Sequence, residues 1–208
     1  MTTGGEGGMV TTNDKALWQR MWSYKDHGKS YDAVYLKEHP PGFRWVHESF
    51  GTNWRLTEMQ SAIGRIQLGR MPEWSAHRRA NAEAITRVCE RYSFMRVPKS
   101  STDMEHAFYK FYAFVVPEEL PEGWSRDRII DALANAGVPC MQGSCSEVYL
   151  ERAFDGHPSR PSTALPVAKV LGESSLMFMV HPTINSDQLA LYCEAIDQVL
   201  SEIDQFTS

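Results

Sequence analysis

One segment, residues 51–68, constrains the fold of this chain more than any other, because it specifies both an extended stretch and the start of a helix. Thr57 is followed three residues later by Gln60, which is the spacing of a capping box. In that motif each side chain binds a backbone N–H that the start of a helix leaves without a partner. The apolar residues that follow recur at helical spacing and form one stripe: Met59, Ala62, Ile63 and Ile66. The sequence therefore predicts a helix that begins at Thr57.

Two polar residues lie just before this cap, and no periodicity requires them. They are Asn53 and Arg55, which flank Trp54. Polar groups held at the start of a helix often contact a ligand, because the first backbone N–H groups point out of the helix there. A second interpretation stays open, in which Asn53 caps a local turn and Arg55 pairs with a surface acid.

Composition limits the classes of protein to which this segment can belong. The chain has 208 residues, of which 42% are hydrophobic, enough for one substantial core or two modest ones. A net charge of −5, with glutamates interleaved among the arginines of residues 65–91, argues against a nucleic-acid partner. No apolar run approaches the roughly 20 residues that span a bilayer, so we expect no membrane partner. Four cysteines without Cys-x-x-Cys spacing predict reduced thiols in the cytoplasm.

The pattern of the chain changes near residues 93–102, where we place a soft domain boundary. Before it the sequence predicts a structured glycine-rich turn, a β-prone run at 9–12, a helix at 16–24, an irregular stretch at 27–50, and two helices that meet at Pro72 and end near Tyr92. After it the sequence predicts strands at 107–116, 139–141 and 176–180, and helices at 125–137, 168–172 and 186–206. This alternation with short connections predicts an α+β domain with helices on one side of a sheet.

Few residue types in this chain point to chemistry by themselves. His27, His106 and His181 lack neighbours at metal-ligand spacing, so we predict no metal site. Ser144 and Cys145 are candidate nucleophiles, but the sequence shows no general base beside them, and a small polar turn is the simpler interpretation. His181 ends a predicted strand, a position where α/β proteins often bind ligands.

Two stretches in a fixed order carry a family resemblance. The first is Thr3-Gly4-Gly5-Glu6-Gly7-Gly8-Met9-Val10-Thr11-Thr12-Asn13-Asp14, and the second has the pattern Gly51-x-Asn53-x-Arg55-x-Thr57-x-x-Gln60, continuing to Leu68. Together they resemble the sugar aminotransferases of the DegT/DnrJ/EryC1/StrS family. His181-Pro182-Thr183 before a terminal helix is also similar to that family.

The resemblance implies a fold class of α/β to α+β, namely the C-terminal half of the aspartate-aminotransferase architecture, which is fold type I of the pyridoxal-phosphate enzymes. It implies that residues 1–56 end the large cofactor-binding domain and carry a loop to the dimer partner. Residues 57–95 would then be connecting helices, and residues 96–208 the small α+β domain.

The resemblance also implies an activity and its ligands. Members use pyridoxal phosphate and glutamate to convert a keto group of a nucleotide-linked sugar to an amine, for cell-surface polysaccharides or antibiotic sugars. We therefore expect a cytoplasmic homodimer, or a complex with a full-length relative, that takes pyridoxal 5′-phosphate as cofactor, glutamate as amino donor and a nucleotide sugar as substrate.

The family's motifs assign roles to individual residues. By resemblance, Asn53 reaches across the dimer to the cofactor phosphate, and Arg55 positions Asn53 or binds the donor carboxylate. Gly7 and Gly8 let the backbone turn away beside the cofactor-binding lysine. Three residues are expected to contact the sugar: Trp45 in the 43–50 loop, Ser144 and His181.

One departure from the family limits what this chain is expected to do alone. The family's Schiff-base lysine sits a few residues before the glycine turn, hence upstream of Met1, so no catalytic residue is assigned here. Without that lysine we expect no transamination by this polypeptide alone. Three hypotheses stay open: an aminotransferase whose N-terminal half lies outside this chain, a non-catalytic remnant that binds a full-length relative or a sugar nucleotide, and a dehydratase of the same family in which histidine replaces the lysine.

Overall fold

The computed structural model describes residues 4–42 and 44–206. Thr3 of the first motif and Phe43 of the 43–50 loop therefore lie outside the described residues. The described residues divide into two compact units, one that ends at Met71 and one that begins at Pro72, here called the N-terminal and C-terminal units. None of the helices in the described part of the chain is both long enough and apolar enough to span a membrane.

The described elements follow one another in a mixed order of helices and strands. The helices are α1 Lys15–Lys25, α2 Tyr31–Tyr35, α3 Glu58–Cys89, α4 Arg126–Asn135, α5 Pro166–Ser174 and α6 Ser186–Asp204. The strands are β1 Met95–Arg96, β2 Phe111–Val115, β3 Cys140–Met141 and β4 Ser175–Phe178. Short 3-10 turns lie at Pro117–Glu119, Val148–Leu150 and Arg152–Phe154.

Side-chain caps start the first two helices of the N-terminal unit. The Asp14 carboxylate accepts hydrogen bonds from the backbone N–H groups of Ala16, at 2.8 Å, and Leu17, at 3.0 Å, and so caps the predicted helix, which the structure confirms. The stretch at 27–50 is not wholly irregular, because the Ser30 hydroxyl accepts from the N–H of Ala33 and starts α2. Such a one-turn helix is too short to show periodicity in a sequence.

The β-prone run at 9–12 forms no strand. No strand among the described residues pairs with it, and Met9 and Val10 are exposed. A strand needs a hydrogen-bonded neighbour, so propensity alone does not create one.

Helix α3 begins with the predicted capping box. The Gln60 N–H donates to Thr57 Oγ1 and the Thr57 N–H donates to Gln60 Oε1, both at 3.3 Å. The prediction of a second helix from Pro72 is wrong, because α3 continues through Pro72 to Cys89. A proline inside a helix costs about 3 kcal/mol, and the residues beyond Pro72 offset this by burying one face.

A four-stranded antiparallel sheet of order β1-β2-β4-β3 forms the C-terminal unit together with α4, α5 and α6. This confirms the predicted α+β character. Strand β2 is shorter than the predicted 107–116, because Phe108 adopts a left-handed conformation (φ 45°) that ends the extended path. The core of the C-terminal unit includes the fully buried side chains of Phe94, Ile129, Leu133, Leu176, Phe178, Ile196, Leu200 and Ile203.

The division into compact units falls between Met71 and Pro72, whereas the sequence placed a soft boundary at 93–102. The difference arises because Ala82, Ile85 and Cys89, on the second half of α3, are part of the core of the C-terminal unit. The assignment of residues 1–56, 57–95 and 96–208 to parts of the family fold stays a prediction.

Candidate functional site

Two segments of the N-terminal unit lie side by side and position Asn53 and Arg55. The Thr52 N–H donates to the Tyr24 carbonyl at 2.7 Å, and the His27 N–H donates to the Thr52 carbonyl at 3.0 Å. The backbone at Asn53 also bridges to Asp26, at the C-terminal end of α1. The backbone of residue 53 is therefore fixed to the turn that follows α1.

Glycines make this close approach feasible. Gly28 has a φ of 84°, and a Cβ atom there would lie 1.8 Å from the Ser49 carbonyl oxygen. A Cβ atom at Gly51 would lie 2.4 Å from the Gly28 nitrogen. No real Cβ atom approaches the backbone so closely, so the two segments pair only because both positions are glycine.

The Arg55 guanidinium contacts three side chains. Its Nη1 atom lies 3.3 Å from Asp26 Oδ1, and its Nε–H donates to Asn53 Oδ1 at 3.1 Å. Its Nη2 atom donates to His27 Nε2 at 3.4 Å. Arginine has no acceptor, so His27 Nε2 carries no proton in this arrangement. The guanidinium thereby links Asn53 to the turn at 26–28.

Asp26 lies at the centre of this cluster. Lys29 Nζ lies 3.2 Å and Lys25 Nζ 4.0 Å from its carboxylate oxygens, in addition to Arg55. Burial, the largest single influence, favours the neutral carboxyl, but the hydrogen bond from Lys29 and the charges of Lys29, Arg55 and Lys25 together hold the pKa of Asp26 below 3.8, its ordinary value. Three cations surround one carboxylate, so the cluster has an excess of positive charge that suits an anionic ligand.

A cleft of about 1250 Å³ in the N-terminal unit brings three of the predicted cofactor-binding residues together: Gly7, Gly8 and Arg55. Gln60, from the capping box, donates from Nε2 to the Glu6 carbonyl at 2.6 Å and so holds the glycine turn against the start of α3. A Cβ atom at Gly7 would lie 2.6 Å from Leu56 Cδ1, whereas Gly8 faces open space. Aromatic rings of Trp18, Trp22 and Trp54 also line the cleft.

Two further predicted residues of this unit do not line that cleft. Asn53 is exposed beside Arg55, and within the described ranges no acceptor contacts its Nδ2 group. Trp45 is 83% exposed and has a φ of 63°, a conformation that non-glycine residues adopt rarely.

The remaining predicted residues, His181 and Ser144, lie in the C-terminal unit. His181 Nδ1 accepts from the Thr183 N–H at 3.3 Å and lies 2.8 Å from Thr183 Oγ1, while the His181 carbonyl accepts from Asn81 Nδ2 at 3.2 Å. Ser144 is exposed after Gly143, and no hydrogen bond in the described part of the chain joins it to His181. These two residues therefore do not form a paired catalytic site.

The cysteines and metal-binding residue types supply no second site. Burial raises the pKa of Cys89 and of Cys140 to about 12, so both thiols stay protonated. All four cysteines are unpaired. Across residues 4–42 and 44–206, no group of three or more His, Cys, Asp or Glu side chains is arranged to hold a metal ion.

Asp26 and His27 belong to this cluster but were not predicted as site residues from the sequence. His27 lacks neighbours at metal-ligand spacing, and no sequence pattern assigned a role to Asp26. A local signal existed, because an acid between two lysines and immediately before His-Gly suggests a charged turn. Its partner Arg55 lies far along the chain, so the sequence alone did not connect the two.

The comparisons with known proteins identify the family. The profile of the DegT/DnrJ/EryC1/StrS aminotransferase family matches residues 1–197. The chain belongs to this family. The resemblance inferred from the two motifs is therefore confirmed.

The curated relatives include enzymes that are named for nucleotide-linked sugars. GDP-perosamine synthase of Escherichia coli O157:H7 is 26% identical over 200 residues, which are 96% of this chain and 49% of that protein. The dTDP-3-amino-3,4,6-trideoxy-alpha-D-glucose transaminase of Streptomyces venezuelae is 25% identical over 201 residues, 97% of this chain and 48% of that protein. The chain thus spans about half the length of these relatives, as the predicted C-terminal half would.

Solved structures support the fold. An aminotransferase from Psychrobacter cryohalolentis superposes with a TM-score of 0.93 at 57% identity, over 98% of this chain and 54% of that chain. DesV of S. venezuelae, in complex with a ketimine intermediate, superposes with a TM-score of 0.73 at 23% identity, over 91% of this chain and 45% of its own. The chain therefore has the mixed helix and sheet fold of these aminotransferases.

Proposed function

We propose that this chain is the C-terminal part of a pyridoxal-phosphate-dependent aminotransferase that transfers an amino group from glutamate to a keto group of a nucleotide-linked sugar. The observation that carries the proposal is the junction of the two family motifs. Gln60 binds the Glu6 carbonyl, and the cleft beside this contact is lined by Gly7, Gly8 and Arg55. The names of the curated relatives support a nucleotide-sugar substrate.

The residues present fit the phosphate end of the cofactor. The Asn53 Oδ1 atom accepts from Arg55, and no acceptor among the described residues contacts its Nδ2 group, so both Nδ2 N–H bonds can bind a phosphate oxygen. Arg55 and the lysines around Asp26 add positive charge. In this proposal Asn53 binds the phosphate across a homodimer, and Arg55 positions Asn53 or binds the glutamate carboxylate in a bidentate manner. When bound, pyridoxal phosphate supplies an electrophilic carbon for the amino group and an electron sink.

The rest of the site comes from other parts of the assembly and of this chain. In this proposal the cofactor-binding lysine is supplied by the N-terminal half of the family fold. Trp45, Ser144 and His181 contact the nucleotide sugar in this proposal. In this proposal residues 1–56 belong to the large domain, residues 57–95 connect the two domains through the single helix α3, and residues 96–208 form the small domain of a cytoplasmic enzyme.

An exposed apolar stripe supports the participation of a second polypeptide segment. Met59, Ile63 and Ile66 lie along the first half of α3, and each is at least 46% exposed. Contiguous exposed apolar side chains usually mark a surface that another polypeptide covers. We propose that the N-terminal half of the family fold covers this stripe, because the chain matches only about half the length of its relatives.

Reconstitution tests this function. The chain is coexpressed with the N-terminal half of the Psychrobacter cryohalolentis aminotransferase. The purified mixture is then assayed with glutamate, pyridoxal phosphate and a panel of nucleotide-linked keto sugars. We expect 2-oxoglutarate to form only when both polypeptides are present. Asn53→Ala and Arg55→Lys should each lower the rate by about 10-fold or more, as loss of a charge-assisted contact predicts.

The matched control for Arg55→Lys is Arg152→Lys, an arginine of the C-terminal unit outside the proposed site, which should leave the rate unchanged. Equal rates for all three variants, or turnover by the 208-residue chain alone, would refute the assignment of the site.

A further inference from the structure

Asp26 and Arg55 differ in how firmly the fold holds them. The Asp26 side chain is 10% exposed, and its backbone is fixed by hydrogen bonds to Ser23 and from Lys29. The Arg55 side chain is 46% exposed, and among the described residues its polar contacts are with Asp26, Asn53 and His27. Because a fixed partner sets the position of a mobile one, the buried carboxylate determines where the guanidinium lies.

We propose that Asp26 is a positioning residue, which holds the Arg55 guanidinium against Asn53 and thereby presents the Asn53 amide to an anion. This inference rests on the proposed function, in which Asn53 and Arg55 bind a phosphate or a carboxylate. The geometry carries it: Arg55 Nη1 lies 3.3 Å from Asp26 Oδ1 while its Nε donates to Asn53 Oδ1 at 3.1 Å. With Oδ1 so engaged, the Asn53 side chain is oriented with its Nδ2 donor available.

The guanidinium keeps binding capacity in this arrangement. It has five N–H bonds. Among the described residues, Nε donates to Asn53, Nη2 donates to His27 and Nη1 forms an ion pair with Asp26, so N–H bonds on both terminal nitrogens can still bind an incoming oxyanion. Asp26 therefore orients Arg55 without consuming the two terminal nitrogens that bidentate recognition of a carboxylate or phosphate uses.

A purely electrostatic role for Asp26 predicts the opposite effect on anion binding. A carboxylate next to an anion site repels the anion, so its neutralisation would tighten binding. A positioning role predicts weaker binding on neutralisation, even though the cluster becomes more positive. The sign of the change in affinity thus separates the two roles.

The test measures inorganic phosphate binding to the full 208-residue chain by NMR chemical-shift titration. Asp26→Asn keeps the shape of the side chain and removes its charge, and we expect about 10-fold weaker binding, the effect typical of losing a charge-assisted hydrogen bond. The matched control is Asp32→Asn in α2, which removes one acid of the same unit that contacts Gln19 rather than Arg55. We expect the control to stay within about twofold of the unsubstituted chain.

Two further variants keep the test decisive. Asp26→Glu retains the charge, so its affinity should fall between those of the unsubstituted chain and Asp26→Asn, and it replaces Asp26→Asn if that variant does not fold. In an Arg55→Lys background no Nε–H remains to position, so there Asp26→Asn should tighten phosphate binding. Weakening of equal size in both backgrounds would overturn the positioning role.

A ligand-free measurement separates failure of this inference from failure of the proposed function. The Arg55 Nε–H group should give a ¹H–¹⁵N signal with the positive heteronuclear Overhauser effect of an ordered side chain. In Asp26→Asn this Overhauser effect should fall to the value of a mobile side chain. If the unsubstituted chain binds no phosphate, the proposed anion site fails, and this signal still decides the positioning role. An Arg55 signal unchanged by Asp26→Asn, or phosphate binding that is equal or tighter in that variant, would overturn the inference.

Discussion

Substitution of Gly28 by alanine should separate the two segments that position Asn53 and Arg55. The new Cβ atom would lie 1.8 Å from the Ser49 carbonyl oxygen and 2.5 Å from its carbon, and both are backbone atoms that cannot rotate away. Relief of this overlap requires the segments to move apart. That movement would break the hydrogen bonds from the N–H groups of Glu48 and Ser49 to the Gly28 carbonyl, which are 3.1 and 3.2 Å long.

The expected cost can be assembled from these contributions. Alanine in the left-handed conformation of Gly28 (φ 84°) costs about 1 kcal/mol. Each broken hydrogen bond adds roughly 0.5–1.5 kcal/mol. Gly28→Ala should therefore lower the free energy of unfolding of the N-terminal unit by about 2–4 kcal/mol.

Urea denaturation followed by tryptophan fluorescence measures this cost, since Trp18, Trp22 and Trp54 lie in the N-terminal unit. Gly42→Ala is the matched control, because Gly42 also has a positive φ (95°) but a Cβ atom there meets nothing within 4 Å. The control should lose only the conformational contribution of about 1 kcal/mol. Losses for the two variants that agree within about 0.5 kcal/mol would show that the close approach at Gly28 does not constrain the unit.

Three further predictions concern charge, capping and thiols. The ion pairs of Asp26 should stabilise the N-terminal unit fully above pH 3.8 and lose their effect as the pH falls through the lowered pKa of Asp26. Asp26→Asn should therefore reduce the pH dependence of the urea midpoint between about pH 2 and 6. Thr57→Ala should cost about 1 kcal/mol of unfolding free energy by loss of the capping box, whereas an exposed Thr11→Ala should cost almost nothing. Iodoacetamide at pH 8 should modify exposed Cys145 in the folded chain but Cys89 only after denaturation, as intact mass would show.

The features of the fold that depend on residues close together in the sequence were predictable from the sequence. The capping box joins the side chains of Thr57 and Gln60 to backbone groups three residues away, so spacing alone predicted it. The continuation of α3 through Pro72 was not predictable in this way, because it depends on the burial of residues beyond the proline. Strand β1, two residues long, exists only through its pairing with β2.

In the candidate site, too, the residues within sequence motifs were predictable, and those that depend on contacts between distant parts of the chain were not. The two family motifs predicted Gly7 and Arg55, and the structure places both in one cleft because Gln60 binds the Glu6 carbonyl. Asp26 was missed, because its importance arises from contacts with Arg55 that no local pattern encodes. The roles of Trp45, Ser144 and His181 rest on the family resemblance and stay predictions.

Borohydride trapping of pyridoxal phosphate tests the central claim most directly, namely that this chain contributes cofactor contacts to a site whose lysine lies in the other half of the family fold. The 208-residue chain, alone and coexpressed with the N-terminal half of the Psychrobacter relative, is incubated with cofactor, reduced, and analysed by intact mass and peptide mapping. We predict one adduct per complex, on a lysine of the N-terminal half, and none on the chain alone. A stoichiometric adduct on Lys110, Lys169 or any other single lysine of this chain would contradict the account.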